Sequence, residues 1–244
     1  MARVQDKIIL VTGSAQGMGE AHARCLIQEG AKVVLTDLNE EKGQALATEL
    51  GENALFIKHD VTSESDWQRV IAASEEHFGA INVLVNNAGI TMSKSILDMS
   101  LGEYRRIIEI NQVSIFLGMK AVIPAMKVAQ SGSIINISSI NGLVGGAIGY
   151  TDSKFAVRGM TKAAALECSP FGIRVNSIHP GVIATPMIMQ GDTKDAVEAF
   201  AKHIPLRRIA QPEEVSSMVL YLASDDSSYS TGAEFVVDGG VTAQ

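Results

Sequence analysis

Two side chains four residues apart, Tyr150 and Lys154, have the types and the spacing that proton transfer needs. If the segment is helical, this spacing places both side chains on one face. A phenol with an ordinary pKa of about 10 is a poor acid or base at neutral pH, but a nearby ammonium group lowers that pKa. The pair therefore predicts Tyr150 as a proton donor or acceptor. Such a pair also occurs on ordinary helix faces, so its weight depends on the rest of the chain.

The composition is typical of a soluble globular protein. With 244 residues, 46% of them hydrophobic, the chain is long enough for one large α/β domain and short for two, so we expect a single domain over 1–244. The net charge of −7, without a dense basic run, argues against a nucleic-acid partner. The first apolar run is too short for a secretion signal or a membrane span, so the expected location is the cytoplasm. Cys25 and Cys168 lack the spacing of a metal or redox site and are predicted to be buried thiols.

Short β-branched runs alternate with longer stretches of helical period. The runs cover residues 7–11, 32–36, 54–58, 81–85, 133–137, 174–178 and 234–237. This alternation predicts parallel βαβ units, and the nearly continuous apolar runs suit strands buried on both faces. We therefore predict an α/β fold with a doubly wound parallel sheet and helices on both faces. In such sheets ligands bind beyond the carboxyl ends of the strands.

A glycine-rich segment follows the first predicted strand. Gly13, Gly17 and Gly19 precede a helical pattern that starts near Glu20. Glycines allow a sharp turn and a close approach to a pyrophosphate, which would then rest on the amides of a helix N-terminus. The alternative is an ordinary glycine-rich turn between a strand and a helix.

A carboxylate ends the second predicted strand. Asp37 lies 18 residues after Gly19 and is placed to accept hydrogen bonds from both hydroxyls of an adenosine ribose. Its charge would repel a ribose 2′-phosphate, and residues 37–40 contain no Arg or Lys. The sequence thus favours NAD over NADP. The alternative is that Asp37 caps the helix that begins near Glu40.

The next two predicted strands also end in polar or small residues. Asp60 could bind an adenine amino group, or it could cap a helix that begins near Ser63. Asn87, Ala88 and Gly89 would allow close approach of a cofactor ribose, or they form a turn stabilised by Asn side chains.

The ordered set of motifs resembles the short-chain dehydrogenase/reductase family from residue 7 to the end of the chain. The set comprises Gly13-x-x-x-Gly17-x-Gly19, Asp60, Asn86-Asn87-Ala88-Gly89, Asn111, Ser138-Ser139, Tyr150-x-x-x-Lys154 and Pro180-Gly181. The resemblance implies a Rossmann-like domain of seven parallel strands, nicotinamide chemistry and a homotetramer built partly on the helices of Asn111 and Tyr150.

The resemblance also implies a role for each catalytic residue. Tyr150 would be the general acid in reduction and the base in oxidation, and Lys154 would lower its pKa and hold the nicotinamide ribose. A serine would polarise the carbonyl, and Asn111 would hold a water that relays protons from Lys154. Many relatives place that serine thirteen positions before the tyrosine, which is Ile137 here, so the loop is shortened by two. Alignment on the residues that follow favours Ser139 as the catalytic serine, with Ser138 as the alternative.

The segment after the sixth predicted strand resembles the one whose backbone and threonine hold the nicotinamide amide and the pyrophosphate. The full set of residues expected to bind the cofactor is Gly13, Gln16, Gly17, Met18, Gly19, Asp37, Leu38, Asp60, Val61, Asn87, Ala88, Gly89, Tyr150, Lys154, Pro180, Gly181, Ile183 and Thr185. Residues 186–205, rich in Met and Ala, are predicted to be a mobile substrate lid with Met187, Ile188 and Met189 facing the substrate, unless these residues simply pack in the core. His59, His77, His179 and His203 have no partner spacing and receive no catalytic role.

The predicted activity is hydride transfer between NAD(H) and a small or medium apolar secondary alcohol or ketone, or a hydroxysteroid. The alternatives are a reductase of 3-oxoacyl thioesters on an acyl carrier protein and a noncatalytic NAD(H)-binding protein. The first is disfavoured because 126–132 and 169–172 lack the Arg residues with which such reductases dock the carrier. The carboxyl end resembles that of secondary-alcohol dehydrogenases that bind magnesium through a terminal Gln, which raises Gln244 as a magnesium ligand. An unligated terminus is the alternative.

Overall fold

Seven parallel strands form the centre of the molecule. The structure, a computed structural model, describes residues 2–186 and 199–243. The strands are β1 (Ile8–Thr12), β2 (Lys32–Asp37), β3 (Ala54–Lys58), β4 (Val83–Asn86), β5 (Gly132–Ile137), β6 (Ile173–Pro180) and β7 (Glu234–Val237). They pair in the order β3-β2-β1-β4-β5-β6-β7, and every neighbouring pair is parallel. The predicted Rossmann-like sheet is confirmed.

Helices cover both faces of this sheet. They are α1 (Gly17–Gln28), α2 (Glu40–Leu50), α3 (Glu64–His77), α4 (Leu101–Ile108), α5 (Ser114–Ala129), α6 (Tyr150–Cys168) and α7 (Pro212–Ala223). Successive residues of β1 face opposite layers: Ile9 and Val11 pack with residues of α1, α2 and α7, whereas Leu10 packs with residues of α3, α5 and α6. All three are fully buried, which explains why the strand is apolar without alternation.

Two element boundaries differ from the sequence prediction in places that matter for the site. Helix α1 begins at Gly17 instead of near Glu20, because the glycines of its first turn carry no hydrophobic pattern. Strand β6 continues past Ile178 to Pro180, because His179 and Pro180 pair with Val236 and Val237 of β7.

The sheet order reverses between β1 and β4. Helix α1 follows β1 towards one side of this reversal, and the chain after β4 leads to the other side. The carboxyl ends of these two strands therefore border a crevice of the kind in which doubly wound sheets bind ligands.

The continuous helical segment Leu101–Ala129 is long and apolar enough to cross a membrane by length and composition alone. It consists of α4, a π-helical turn (Glu109–Val113) and α5. Along α5, Ile115, Met119 and Val122 are buried in the core layer of the sheet. Packing against a sheet requires such an apolar face, so the fold accounts for this composition.

Candidate active site

The glycine-rich loop joins β1 to the N-terminus of α1. Gly13 and Gly17 have φ values of +65° and +63°, which favour glycine. A Cβ on Gly13 would lie 2.9 Å from the Cα of Ala88, so the loop packs tightly against the chain after β4. Gln16, at the N-cap of α1, makes no side-chain capping bond. The first N–H groups of α1 are thus free of a side-chain cap and can bind an anion.

Asn87 joins the loop to the end of β4. Its Nδ2 donates to the carbonyls of Thr12 (2.9 Å) and Gly13 (3.1 Å), and its own N–H donates to Thr12 Oγ1 at 3.0 Å. Within the described residues Asn87 Oδ1 is buried without a hydrogen-bond partner, so it can accept a bond from a ligand. A glycine cradle, an uncapped helix N-terminus and an unpaired acceptor together fit a dinucleotide, with the pyrophosphate on α1.

Asp37 is held at the end of β2 by two backbone bonds. Its Oδ2 accepts from Ala15 N at 3.0 Å, and its Oδ1 accepts from Asn39 N at 2.9 Å. Helix α2 is capped by Asn39, which excludes a capping role for Asp37. Lys42 also lies at the glycine loop, where its Nζ donates to Gln16 Oε1 at 3.0 Å. This positive charge lies beyond residues 37–40, the range considered from the sequence, and was therefore missed. Its position in the first turn of α2 is the sequence signal that could have identified it.

Asp60 does not cap the helix that follows it. Its Oδ1 accepts from the N–H and the hydroxyl of Thr62, at 3.0 and 2.7 Å, while Ser63 caps α3. The capping alternative is therefore excluded. Adenine binding by Asp60 stays a prediction.

Ser139 and Tyr150 meet where β5 and α6 approach each other. The Ser139 hydroxyl accepts a hydrogen bond from Asn141 N at 3.1 Å and lies close enough to the Tyr150 phenol to influence its pKa. The Ser138 hydroxyl instead donates to the Lys154 carbonyl at 3.0 Å and is buried. Of the two candidate serines, the geometry places Ser139 beside the phenol and gives Ser138 a structural contact.

Lys154 is buried beneath Tyr150. Its Nζ donates to the Ile137 carbonyl at 2.8 Å and lies 5.7 Å from the centre of the Tyr150 ring. Burial lowers the pKa of Lys154 to about 8. Burial also raises the pKa of Tyr150 above its usual value of 10, while the nearby Ser139 hydroxyl acts in the opposite direction. The sequence predicted a lowered pKa for Tyr150, and this direction is wrong for the protein alone because desolvation of the phenolate outweighs the favourable contacts.

Asn111 is fully buried in the π-helical turn between α4 and α5. Its Nδ2 donates to the Ile90 carbonyl (2.9 Å) and to Ser153 Oγ (3.2 Å), and its Oδ1 accepts from Ile90 N at 2.8 Å. The side chain thus fixes the loop after β4 against α6. A Cβ on Gly89 would lie 3.3 Å from Asn111 Oδ1 and 3.6 Å from Lys154 Nζ, so Asn111 and Lys154 border the same glycine. A water relay between them stays a prediction.

The chain after β6 returns to the glycine loop. Gly181 N donates to the Val237 carbonyl at 2.9 Å, Ile183 is buried, and a Cβ on Gly17 would lie 3.5 Å from the Cβ of Thr185. The predicted segment therefore reaches the N-terminus of α1, where a pyrophosphate would rest.

Two predictions fall on parts of the chain that the structure does not describe. Residues 187–198, which hold Met187, Ile188 and Met189 of the predicted lid, and Gln244 lie outside the described residues. Among residues 2–186 and 199–243, no group of three or more His, Cys, Asp or Glu side chains is placed to hold a metal ion.

The fold and this constellation are those of a dinucleotide-binding oxidoreductase. The chain belongs to the short-chain dehydrogenase/reductase family. A protein-family model described as "Enoyl-(Acyl carrier protein) reductase" matches residues 13–242.

Individual relatives cover nearly the whole chain. The 3-alpha-(or 20-beta)-hydroxysteroid dehydrogenase of Mycobacterium tuberculosis is 51% identical over 99% of this chain and 91% of its own length. The cyclopentanol dehydrogenase of Comamonas sp. is 49% identical over 100% of both chains. The crystal structure of levodione reductase superposes with a TM-score of 0.94 at 32% identity and covers 99% of both chains.

Proposed function

We propose that this enzyme transfers a hydride between NAD(H) and a secondary alcohol or ketone. The proposed substrates are small or medium-sized apolar ring compounds, including hydroxysteroids. The observation that carries the proposal is the placement of Ser139 beside Tyr150 and the buried Lys154, at the sheet end where the glycine loop and the uncapped α1 meet. Two relatives of about 50% identity are named for a hydroxysteroid and for cyclopentanol, which supports this class of substrate.

The protein's own groups would handle the proton and the carbonyl oxygen. A bound nicotinamide supplies or accepts the hydride. Tyr150 would donate its proton to the carbonyl oxygen in reduction and take the alcohol proton in oxidation. The Ser139 hydroxyl accepts from Asn141 N and would donate its own proton to the same substrate oxygen. Lys154 would hold the nicotinamide ribose and provide positive charge near the phenol.

Cofactor preference rests on the charges near the end of β2. The Asp37 carboxylate would bind the ribose hydroxyls of NAD and repel the 2′-phosphate of NADP, whereas Lys42 at Gln16 offers a counter-charge. We expect wild type to prefer NADH and Asp37→Ser to gain about 10-fold or more in NADPH affinity. Adding Lys42→Gln to Asp37→Ser should remove much of that gain. Unchanged cofactor selectivity in Asp37→Ser would contradict the charge argument.

A short loop, held by a side-chain hydrogen bond, joins Ser139 to Tyr150. After Ser139 the chain forms a turn (Ile140–Gly142), and Asn141 Nδ2 donates to the Gly145 carbonyl at 3.0 Å. Val144 of this loop is 43% exposed, so the loop that leads to Tyr150 offers an apolar surface. The loop thereby supports a preference for apolar substrates over charged ones.

The decisive test is NADH and NADPH turnover on cyclic alcohols and ketones, diketones, steroids, sugars and 3-oxoacyl thioesters. Turnover of cyclic ketones or steroids supports the proposal, and a clear preference for thioesters favours the acyl-carrier alternative that the family model's description also suggests. Tyr150→Phe should abolish turnover while NADH binding stays nearly intact. Retained biological effect of that variant would favour the noncatalytic alternative. Chelation of magnesium in the same assay tests the proposed role of Gln244.

A further inference from the structure

His179 is a fully buried histidine that contacts the catalytic serine's backbone. Its Nδ1 lies 3.0 Å from the Ser139 carbonyl oxygen, and its Nε2 lies 2.9 Å from Ser177 Oγ. Ser177 and His179 are two residues apart on β6, so their side chains share one face of the strand. The contact therefore joins β6 to the end of β5.

The partners determine the protonation of the ring. A carbonyl oxygen can only accept, so Nδ1 of His179 carries the proton and donates to Ser139. Burial lowers the pKa of His179, which keeps the imidazole neutral, and Nε2 accepts from the Ser177 hydroxyl. In this single tautomer, both ring nitrogens of His179 have a hydrogen-bond partner.

Two further hydrogen bonds of Ser139 are local to its own turn. Gly142 N donates to the Ser139 carbonyl at 2.8 Å, and Asn141 N donates to its hydroxyl at 3.1 Å. Such bonds move with the turn and do not fix it relative to the sheet. The His179 bond connects Ser139 to the strand that leads directly into Pro180 and Gly181, the segment proposed to face the nicotinamide.

We propose that His179 is a positioning residue that holds the Ser139 hydroxyl at a fixed place between Tyr150 and the nicotinamide-binding segment. The inference rests on the proposed function, in which Ser139 polarises the substrate oxygen. A shift of about 1 Å in a positioning contact can cost up to about 100-fold in rate, so the expected effect is large enough to measure.

Two substitutions separate the positioning bond from simple packing. His179→Leu removes both ring contacts, whereas His179→Asn keeps an N–H donor at the place of Nδ1. We expect His179→Leu to lower kcat by about 10- to 100-fold with KM and the NADH dissociation constant within about 3-fold of wild type. His179→Asn should recover most of the lost kcat.

A double-mutant cycle identifies the residue through which His179 acts. In a Ser139→Ala background, His179→Leu should lower kcat no further, because the positioned hydroxyl is already absent. His22→Leu is the matched control, since His22 is also fully buried and hydrogen-bonded through Nδ1 to a serine, Ser216, at 2.8 Å. It should lower stability and leave kcat unchanged.

Amide hydrogen exchange provides a readout that does not depend on turnover. In His179→Leu the amides of Asn141 and Gly142 should exchange faster, and in His22→Leu they should exchange as in wild type. Unchanged kcat and unchanged exchange in His179→Leu would overturn the inference, as would an equal loss of kcat in the Ser139→Ala background. Accelerated exchange in an enzyme without turnover on any substrate of the panel would support the positioning contact and contradict the proposed function.

Discussion

Ser138 and Ser139 are neighbours in sequence but have different partners, because the chain is extended there and successive side chains point in opposite directions. The Ser138 hydroxyl donates to the Lys154 carbonyl, and the Ser139 hydroxyl lies beside the Tyr150 phenol. Sequence alignment alone could not decide which of the two serines is catalytic, because the loop before Tyr150 is short. The different contacts of the two hydroxyls in the structure favour Ser139 for this role.

Paired alanine variants should separate the two serines. Ser139→Ala should lower kcat by about 100-fold or more, since it removes a donor to the developing charge on the substrate oxygen. Ser138→Ala should leave kcat within a few-fold and lower the free energy of unfolding by about 1 kcal/mol, the contribution of one buried hydrogen bond. Steady-state kinetics and urea unfolding measure both quantities. The assignment fails if the kinetic effects are reversed.

The lowered pKa of Lys154 predicts how ketone reduction depends on pH. With a pKa of about 8, Lys154 is charged at pH 7 and loses its proton as the pH rises through 8. Tyr150, whose pKa is raised, stays protonated and able to donate over the same range. We therefore expect kcat/KM for reduction to be nearly flat from about pH 6 to 7 and to fall as the pH rises through about 8. A flat profile to pH 9.5 would show that Lys154 keeps its charge in the working enzyme.

At the level of elements, a buried histidine on helix α1 contacts helix α7. His22 lies on α1, and its Nδ1 is hydrogen-bonded to Ser216 of α7. Burial lowers the pKa of His22 to about 3, so the folded protein holds this ring neutral. The unfolded chain binds the extra proton below its ordinary pKa of 6.5. The contribution of His22 to stability is therefore present above pH 6.5 and falls as the pH decreases towards 3.

Replacing His22 by Asn should weaken this acid sensitivity. Between pH 6.5 and 5, protonation of one unfolded histidine costs about 2 kcal/mol of stability, because each pKa unit corresponds to about 1.4 kcal/mol. We expect the His22→Asn variant to lose less stability than wild type over this interval, whatever its stability at pH 7. Urea unfolding at several pH values measures the difference. Parallel pH dependences for the two proteins would contradict the prediction.

The elements differ in how well the sequence predicted them. The strands and the glycine-rich loop follow from local patterns, because apolar runs, glycines and strand-end carboxylates are visible in short windows. The contacts of Lys42 with Gln16 and of His179 with Ser139 join residues 26 and 40 positions apart. Such contacts depend on how helices and strands pack, so residue types and spacing alone could not predict them. The direction of the Tyr150 pKa shift also depended on burial, which a sequence pattern does not quantify.

At the scale of the whole molecule, helices α5 and α6 expose aromatic side chains on their outer faces. Phe116 on α5 is 52% exposed, and Phe155 on α6 is 42% exposed. Both helices have their opposite faces buried in the same core layer of the sheet. Exposed aromatic residues on adjacent helices favour association between protein chains, and α6 begins with Tyr150. We therefore retain the proposal of a homotetramer in which these helices take part.

Charged substitutions on this surface should reduce the assembly without unfolding the chain. Phe116→Asp and Phe155→Asp each place a carboxylate where an interface would bury it, at a cost of several kcal/mol to association, whereas a solvent-exposed position in the free chain tolerates it. Tyr229→Asp is the control, because Tyr229 is a fully exposed aromatic residue outside both helices. Sedimentation velocity should give the mass of four chains for wild type and Tyr229→Asp and smaller particles for the Phe variants. Tetramers of both Phe variants would exclude this surface as the interface, and a monomeric wild type would exclude the assembly itself. Because Tyr150 lies at the start of α6, variants with a weakened assembly should also lose specific activity on dilution, whereas wild type should not.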